Sequence, residues 1–318
     1  MIQPKRFSGE NAVVIRDLVK AYKKTNALDS LTLHIPRGSV FGLVGANGAG
    51  KTSLMSICSG LTRPTSGEVD LLGEGGFNVD VHSGRITVMP QDCGLPNYTR
   101  VGEILKYYAQ LQGLSRRESI AMSDEALHWV NLYDRRRDMI RSLSHGMLGR
   151  LIVAQAFLGD PEIVFLDEPM SGLDPKEVQN LRRLIRSKAG EQTIVVSSHL
   201  LYEMENLCDE VAFIEKGRLL KQDKMANLLN RRPVIRVILD PETPPPSETT
   251  YPVTGLEDVS RSWQPETNDL TITWKDEREI PEVNAALLPW LLGAGCRILS
   301  VERGSDLEQV FLDSSAEQ

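Results

Sequence analysis

Apolar and polar residues alternate along positions 11–20, NAVVIRDLVK, and again along 28–35, LDSLTLHI, which predicts two strands followed by the turn Pro36-Arg37-Gly38. Such a pair suggests a small antiparallel sheet. Positions 39–44 are almost continuously apolar, as a short buried strand is, and 53–58, SLMSIC, read as a helix. A turn-rich segment, 61–70, leads into the strand-like EVDLLG, and 84–91, GRITVMPQ, read as a strand ending at Gln91. The pattern then changes. Apolar spacings of three and four over 101–111 and 119–132 predict helices. With 146–158 they form a helical block, spanning about 94–158, inserted before the next strand. EIVFLD (162–167) and TIVVSS (193–198) have the unbroken apolar character of buried parallel strands, and the helix-like 175–188 between them completes a β–α–β unit with an expected right-handed crossover. Residues 211–215 and 218–220 read as a closing hairpin.

The Pro-rich segment DPETPPPS, 240–247, is expected to be extended and solvated. Around it, 233–239, 270–274 and 296–302 are strand-like, 282–292 is an amphipathic helix and 307–312 a short final one. The chain therefore divides into a larger domain, 1–230, and a small α+β domain, 231–318.

Charge supports that division. Residues 231–318 hold 8 Lys+Arg against 16 Asp+Glu, while the remainder holds 28 against 27, within a net charge of −7. A near-neutral body with an acidic tail domain lacks the basic face of a nucleic-acid binder, so no nucleic-acid partner is expected. At 318 residues, 41% hydrophobic and 25% charged, the composition is that of an ordinary globular protein with room for a sizeable core. No apolar run is long enough to cross a bilayer, and MIQPKRFSGE has no signal-peptide core, so a cytoplasmic location is expected. Cys58, Cys93, Cys208 and Cys296 are scattered, as thiols in a reducing compartment are.

The chemistry concentrates in FGLVGANGAGKTS, residues 41–53. Gly45, Gly48, Gly50, Lys51 and Thr52 fit the pattern G-x-x-x-x-G-K-[ST] between a strand and a helix. Glycines let consecutive N–H groups, here from Gly45 through Ala46, Asn47, Gly48, Ala49, Gly50, Lys51, Thr52 and Ser53, curl around phosphate oxygens at a helix N-terminus. Lys51 is placed to reach the outer phosphates and Thr52 to ligate Mg²⁺, so a nucleoside triphosphate, ATP, is the expected ligand. Asp167 and Glu168 end a buried strand: Asp167 is suited to hold Mg²⁺ and Glu168 to orient or deprotonate a water. Gln91 is placed to touch the metal or that water, and His199 to bond the γ-phosphate and steady Glu168. Tyr22 is suited either to stacking on a purine or to packing on the core from an edge strand.

Taken in order, Tyr22, the phosphate loop, Gln91, Leu143-Ser-His-Gly-Met147, Asp167-Glu168, Ser171-Gly-Leu-Asp174 and His199 resemble the motif set of ABC-type ATPases over roughly residues 11–220. The resemblance implies an α/β fold: a P-loop NTPase of the ABC type with a RecA-like core, an antiparallel β subdomain and a helical subdomain, plus the small C-terminal α+β domain. It implies that two such domains pair head to tail, with Ser144 and Gly146 of one offered to the ATP of the other, and that Arg150 supports this signature. The signature departs from the common LSGGQ form at His145 and Met147, which restricts the backbone and removes a polar contact. The ending ILSVERGSDLEQVFLD is similar to the C-terminal extension of ABC-2 type ATP-binding subunits. That implies separate ABC-2 type transmembrane permease subunits, a second copy or a paralogous ATPase as partner, and a peripheral position on the cytoplasmic face of the inner membrane. A membrane-partner helix is expected in a groove lined by 93–102 near Gln91. A soluble ABC ATPase without a transport role and an importer ATPase are the alternatives.

Overall fold

The computed structural model describes residues 9–23, 25–229, 234–245, 259–265, 267–274 and 280–303. The apolar runs form the centre of a six-stranded sheet. Its strands lie in the order Ile86–Met89, Ile163–Asp167, Thr193–Ser198, Val40–Val44, Glu210–Glu215 and Arg218–Lys224. The first five are parallel, and the last closes an antiparallel hairpin. Every residue of Val40–Val44, Ile163–Asp167 and Thr193–Ser198 is buried, which is why these strands read as unbroken apolar runs. The expected strand at 84–91 is shorter, ending at Met89, so Gln91 lies in the loop beyond it.

Parallel pairing brings the strand ends together. Val44 sits beside Ser198, and Asp167 beside Ser197. The phosphate loop, the acidic pair and His199 all follow these ends, at the carboxyl edge where ligands bind in parallel α/β sheets. The connecting helix Pro175–Lys188 begins cleanly: Asp174 accepts a hydrogen bond from Glu177 N at 2.9 Å, Pro175 opens the first turn, and Leu181, Leu184 and Ile185 face the core.

A second, antiparallel sheet has the order Thr25–Pro36, Asn11–Tyr22, Ser66–Leu71. Its first two strands run further than the sequence alternation suggested. Irregular register around Leu18, with positive φ at Asp17 (47°) and Ser30 (53°), breaks the strict period of two without ending the pairing. Leu18, Leu28 and Leu31 from this sheet share one core with Phe41, Ala49 and Leu54, so the phosphate loop is anchored to both sheets.

Helices Val101–Leu111, Arg116–Trp129 and His145–Ala156 pack on one another. The second starts three residues before its apolar spacing does, because Ser115 and Glu118 form a capping box.

The chain parts into two compact units after Lys224. The second carries a four-stranded antiparallel sheet in the order Val259–Gln264, Asp269–Trp274, Val234–Leu239, Ile298–Arg303. Ile235, Val237, Ile272 and Trp274 pack with Val283, Leu287 and Leu291 of helix Ile280–Gly293. Strand Val259–Gln264, VSRSWQ, was not expected from the sequence; it is a half-polar edge strand with no buried position, so its apolar signal is weak. The expected final helix, 307–312, and part of the Pro-rich segment lie outside the described residues.

Candidate active site

The loop after Val44 is shaped by its glycines. A Cβ on Gly45 would fall 2.2 Å from Ile214 O, and one on Gly50 would fall 2.5 Å from Ala27 O. Gly50 also has φ 113° and is the N-cap of helix Lys51–Cys58. No other residue type fits such a left-handed, crowded position without strain.

Lys51 is buried, 5% exposed. Its Nζ donates to Gly45 O at 2.6 Å and Ala46 O at 3.3 Å and lies 3.6 Å from Glu168 Oε1. Thr52 Oγ1 donates to Asp167 Oδ2 at 2.6 Å. Ser197 Oγ donates to Asp167 Oδ1 and accepts from Glu168 N at 2.9 Å. One hydroxyl on the neighbouring strand therefore ties the Asp167 carboxylate to the Glu168 backbone.

Glu168 is 8% exposed and adopts φ 51°, a left-handed backbone rare outside glycine. That turn separates the two acids: Asp167 faces Thr52, while Glu168 Oε2 lies 3.0 Å from His199 Nδ1. Glu168 Oε1 is buried and has no hydrogen-bond partner. A buried carboxylate oxygen with no hydrogen bond, facing only the Lys51 charge at 3.6 Å, is costly and leaves a lone pair open to a water.

A cavity of about 450 Å³ gathers Tyr22, Asn47 through Ser53, Gln91, Asp167 and Glu168, with Ala27 as an unexpected wall. Tyr22 is half exposed there with Lys20 Nζ 4.8 Å from its ring centre, so it stands at the cavity rim and not in the core. Gly45 and Ala46 meet Lys51 through their carbonyls and do not line this cavity. His199 lines a second cavity of about 410 Å³ with Glu168, Ser171–Leu173, Arg182 and Glu203.

Ser144 and Gly146 lie outside both cavities. Ser144 caps helix His145–Ala156, accepting from Met147 N at 3.3 Å. Gly146 lies under Glu177, whose carboxylate is 3.0 Å from Arg150 Nη2.

The residues missed from the sequence are Ser197, Ser198 and Glu203. Ser198 Oγ donates to Glu203 Oε2 at 2.6 Å and accepts from Leu200 N at 2.9 Å. Burial holds the Glu203 carboxyl above its usual range against the lowering effect of the Ser198 bond, with the Glu168 charge adding to the rise. A signal existed: two hydroxyls ending an otherwise apolar buried strand.

Comparison with known proteins shows the family that the chain resembles. A family model described as "ABC transporter" matches residues 28–171. The bacitracin transport ATP-binding protein BcrA of Bacillus licheniformis is 37% identical over 218 residues, covering 68% of this chain and 70% of its own. The Nod factor export ATP-binding protein I of Ralstonia nicotianae is 34% identical over 221 residues, covering 68% of each chain. Among solved structures, the ATP-binding subunit of an ABC transporter superposes with TM-score 0.62 at 26% identity, covering 68% of this chain and 91% of that one. A dimeric ATP-binding cassette in a post-hydrolysis state shares the fold at TM-score 0.62, with 22% identity and coverage of 67% and 98%.

The chain belongs to the ATP-binding proteins of ABC transporters. It is an ATPase of that family, with the α/β nucleotide-binding fold and a C-terminal antiparallel sheet. No helix among the described residues is long and apolar enough to cross a membrane, and ATPases of this family work with transporter membrane subunits.

Proposed function

We propose that this chain is the ATP-hydrolysing subunit of an exporter, driving ABC-2 type permease subunits from the cytoplasmic face of the inner membrane. The observation that carries it is the convergence of Lys51, Thr52, Asp167, Glu168 and His199 around one phosphate loop. Relatives named for bacitracin transport and Nod factor export support the direction of transport. Residues 1–230 supply the ATP-binding domain and 231–318 an accessory domain of the subunit.

In this reading ATP lies along residues 45–53 with its base against Tyr22 and its outer phosphates at Lys51. Thr52 and Asp167 are hard oxygen donors meeting 2.6 Å apart, a set suited to Mg²⁺, with Gln91 on the same cavity. The ion, when bound, neutralises phosphate charge. Glu168 Oε1 accepts the proton of the attacking water, while His199 holds Oε2 and keeps the carboxylate in place. Ser144 and Gly146 face the terminal phosphate on the partner ATPase, a second copy or a paralogue. Closure around ATP and release after hydrolysis then give the two states that a transporter needs.

The test is Glu168→Gln in the full chain. It should retain ATP binding, accumulate a nucleotide-bound dimer seen by size-exclusion chromatography with light scattering, and lose hydrolysis. Hydrolysis at the parental rate sinks the assignment of Glu168.

A further inference from the structure

Strand Thr193–Ser198 ends in two hydroxyls that serve different partners. Ser197 holds Asp167 and the Glu168 backbone. Ser198 turns away to Glu203, as alternation along a strand requires. Its hydroxyl is used twice, donating to Glu203 Oε2 at 2.6 Å and accepting from Leu200 N at 2.9 Å. The second bond closes a serine turn from residue 198 to residue 200, and His199 is the residue inside that turn. The ring it carries reaches Glu168 Oε2 at 3.0 Å.

Glu203 is 6% exposed, in the short helix Leu201–Glu205. A buried carboxylate is an expensive way to fill space. This one fixes a hydroxyl rotor: with its proton committed to Glu203, Ser198 Oγ must present a lone pair to Leu200 N. Glu168, His199 and Glu203 also line the same cavity of about 410 Å³.

We propose that Glu203 is a positioning residue for ATP hydrolysis: through the Ser198 hydroxyl it locks the turn that holds His199 against Glu168. The proposal rests on the roles given to His199 and Glu168 above. Glu203 touches no reacting atom. Its effect belongs to the geometry of the bound state, where small misplacements of a polarising group slow turnover strongly. Gln in its place keeps an oxygen acceptor for Ser198; Ala does not.

Steady-state and single-turnover hydrolysis by the full chain decide the matter. Glu203→Ala should lower kcat roughly ten- to a hundredfold with KM for ATP within about twofold. Glu203→Gln should restore most of the rate. Ser198→Ala removes one hydroxyl and should repeat the Glu203→Ala result, which covers the case of a misfolded Glu203→Ala. In a His199→Ala background, Glu203→Ala should cost less than about twofold more, since a lost lock has nothing left to hold. Parental kcat in folded Glu203→Ala and Ser198→Ala, beside a crippled His199→Ala, overturns the proposal alone. Losses that multiply in the double variant overturn it too. Parental kcat in His199→Ala removes the site reading and this proposal together.

Discussion

Arg150 Nη2 lies 3.0 Å from Glu177 Oε1, joining the helix capped by Ser144 to the helix capped by Asp174. Arg150 Nη1 donates to Val130 O at 2.6 Å, so the guanidinium is held from two directions. With side chains only 12% and 18% exposed, this pair is far better shielded than a surface salt bridge. It ties the signature segment to the segment 171–174 within one subunit.

Gly146 sits beneath that pair, and its identity follows from it. A Cβ there would lie 2.1 Å from Glu177 Oε2, so the carboxylate would have to shift away from its 3.0 Å contact with Arg150. Gly146→Ala should therefore break the ion pair, lower stability by about 1–3 kcal/mol and slow hydrolysis while leaving ATP affinity near the parental value. Glu177→Ala should do much the same, and the double variant should lose little more. Denaturant melts and nucleotide titrations check this; fully additive losses would show that the two residues act apart.

Burial holds the Glu203 carboxyl above its usual range in the fold. A raised acid binds its proton more tightly folded than unfolded, so its stabilising contribution is complete below the ordinary Glu range. That contribution falls as pH rises from there through the raised folded value. Glu203→Gln does not titrate. Its melting temperature relative to the parent should rise as pH climbs from the ordinary Glu range, about 4, the reverse of what loss of a stabilising charge gives. A difference that stays flat or falls over that climb contradicts the burial argument.

The thiols make a third case. Burial pushes Cys58 up to about 12 and raises Cys208 further, and both are fully enclosed, whereas Cys93 is half buried in the loop after Gln91. Alkylation at about pH 8 with mass-spectrometric readout should label Cys93 first and reach Cys58 and Cys208 only after unfolding. Early labelling of Cys58 would mean that helix Lys51–Cys58 opens in the native protein.

Much of this was legible from the chain. Residues 41–53, 162–168 and 193–199 combine an apolar run with chemistry at its end, and parallel pairing alone suffices to bring those ends together. What was not legible depends on side chains choosing partners across the sheet. Ser197 and Ser198 look alike in sequence, and only the strand's alternation sends one to Asp167 and the other to Glu203. The start of helix Arg116–Trp129 was missed because its cap is polar and outlies the apolar spacing. Strand Val259–Gln264 was missed because an edge strand with no buried residue carries almost no hydrophobic signal.

The left-handed backbone at Glu168, φ 51°, reaches beyond geometry. Glycine would relax the main chain there by roughly 1 kcal/mol or more while deleting the carboxylate. On the role proposed for Glu168, sturdiness and turnover pull this position in opposite directions, and a library sorted for heat resistance alone would drift toward a durable, silent protein.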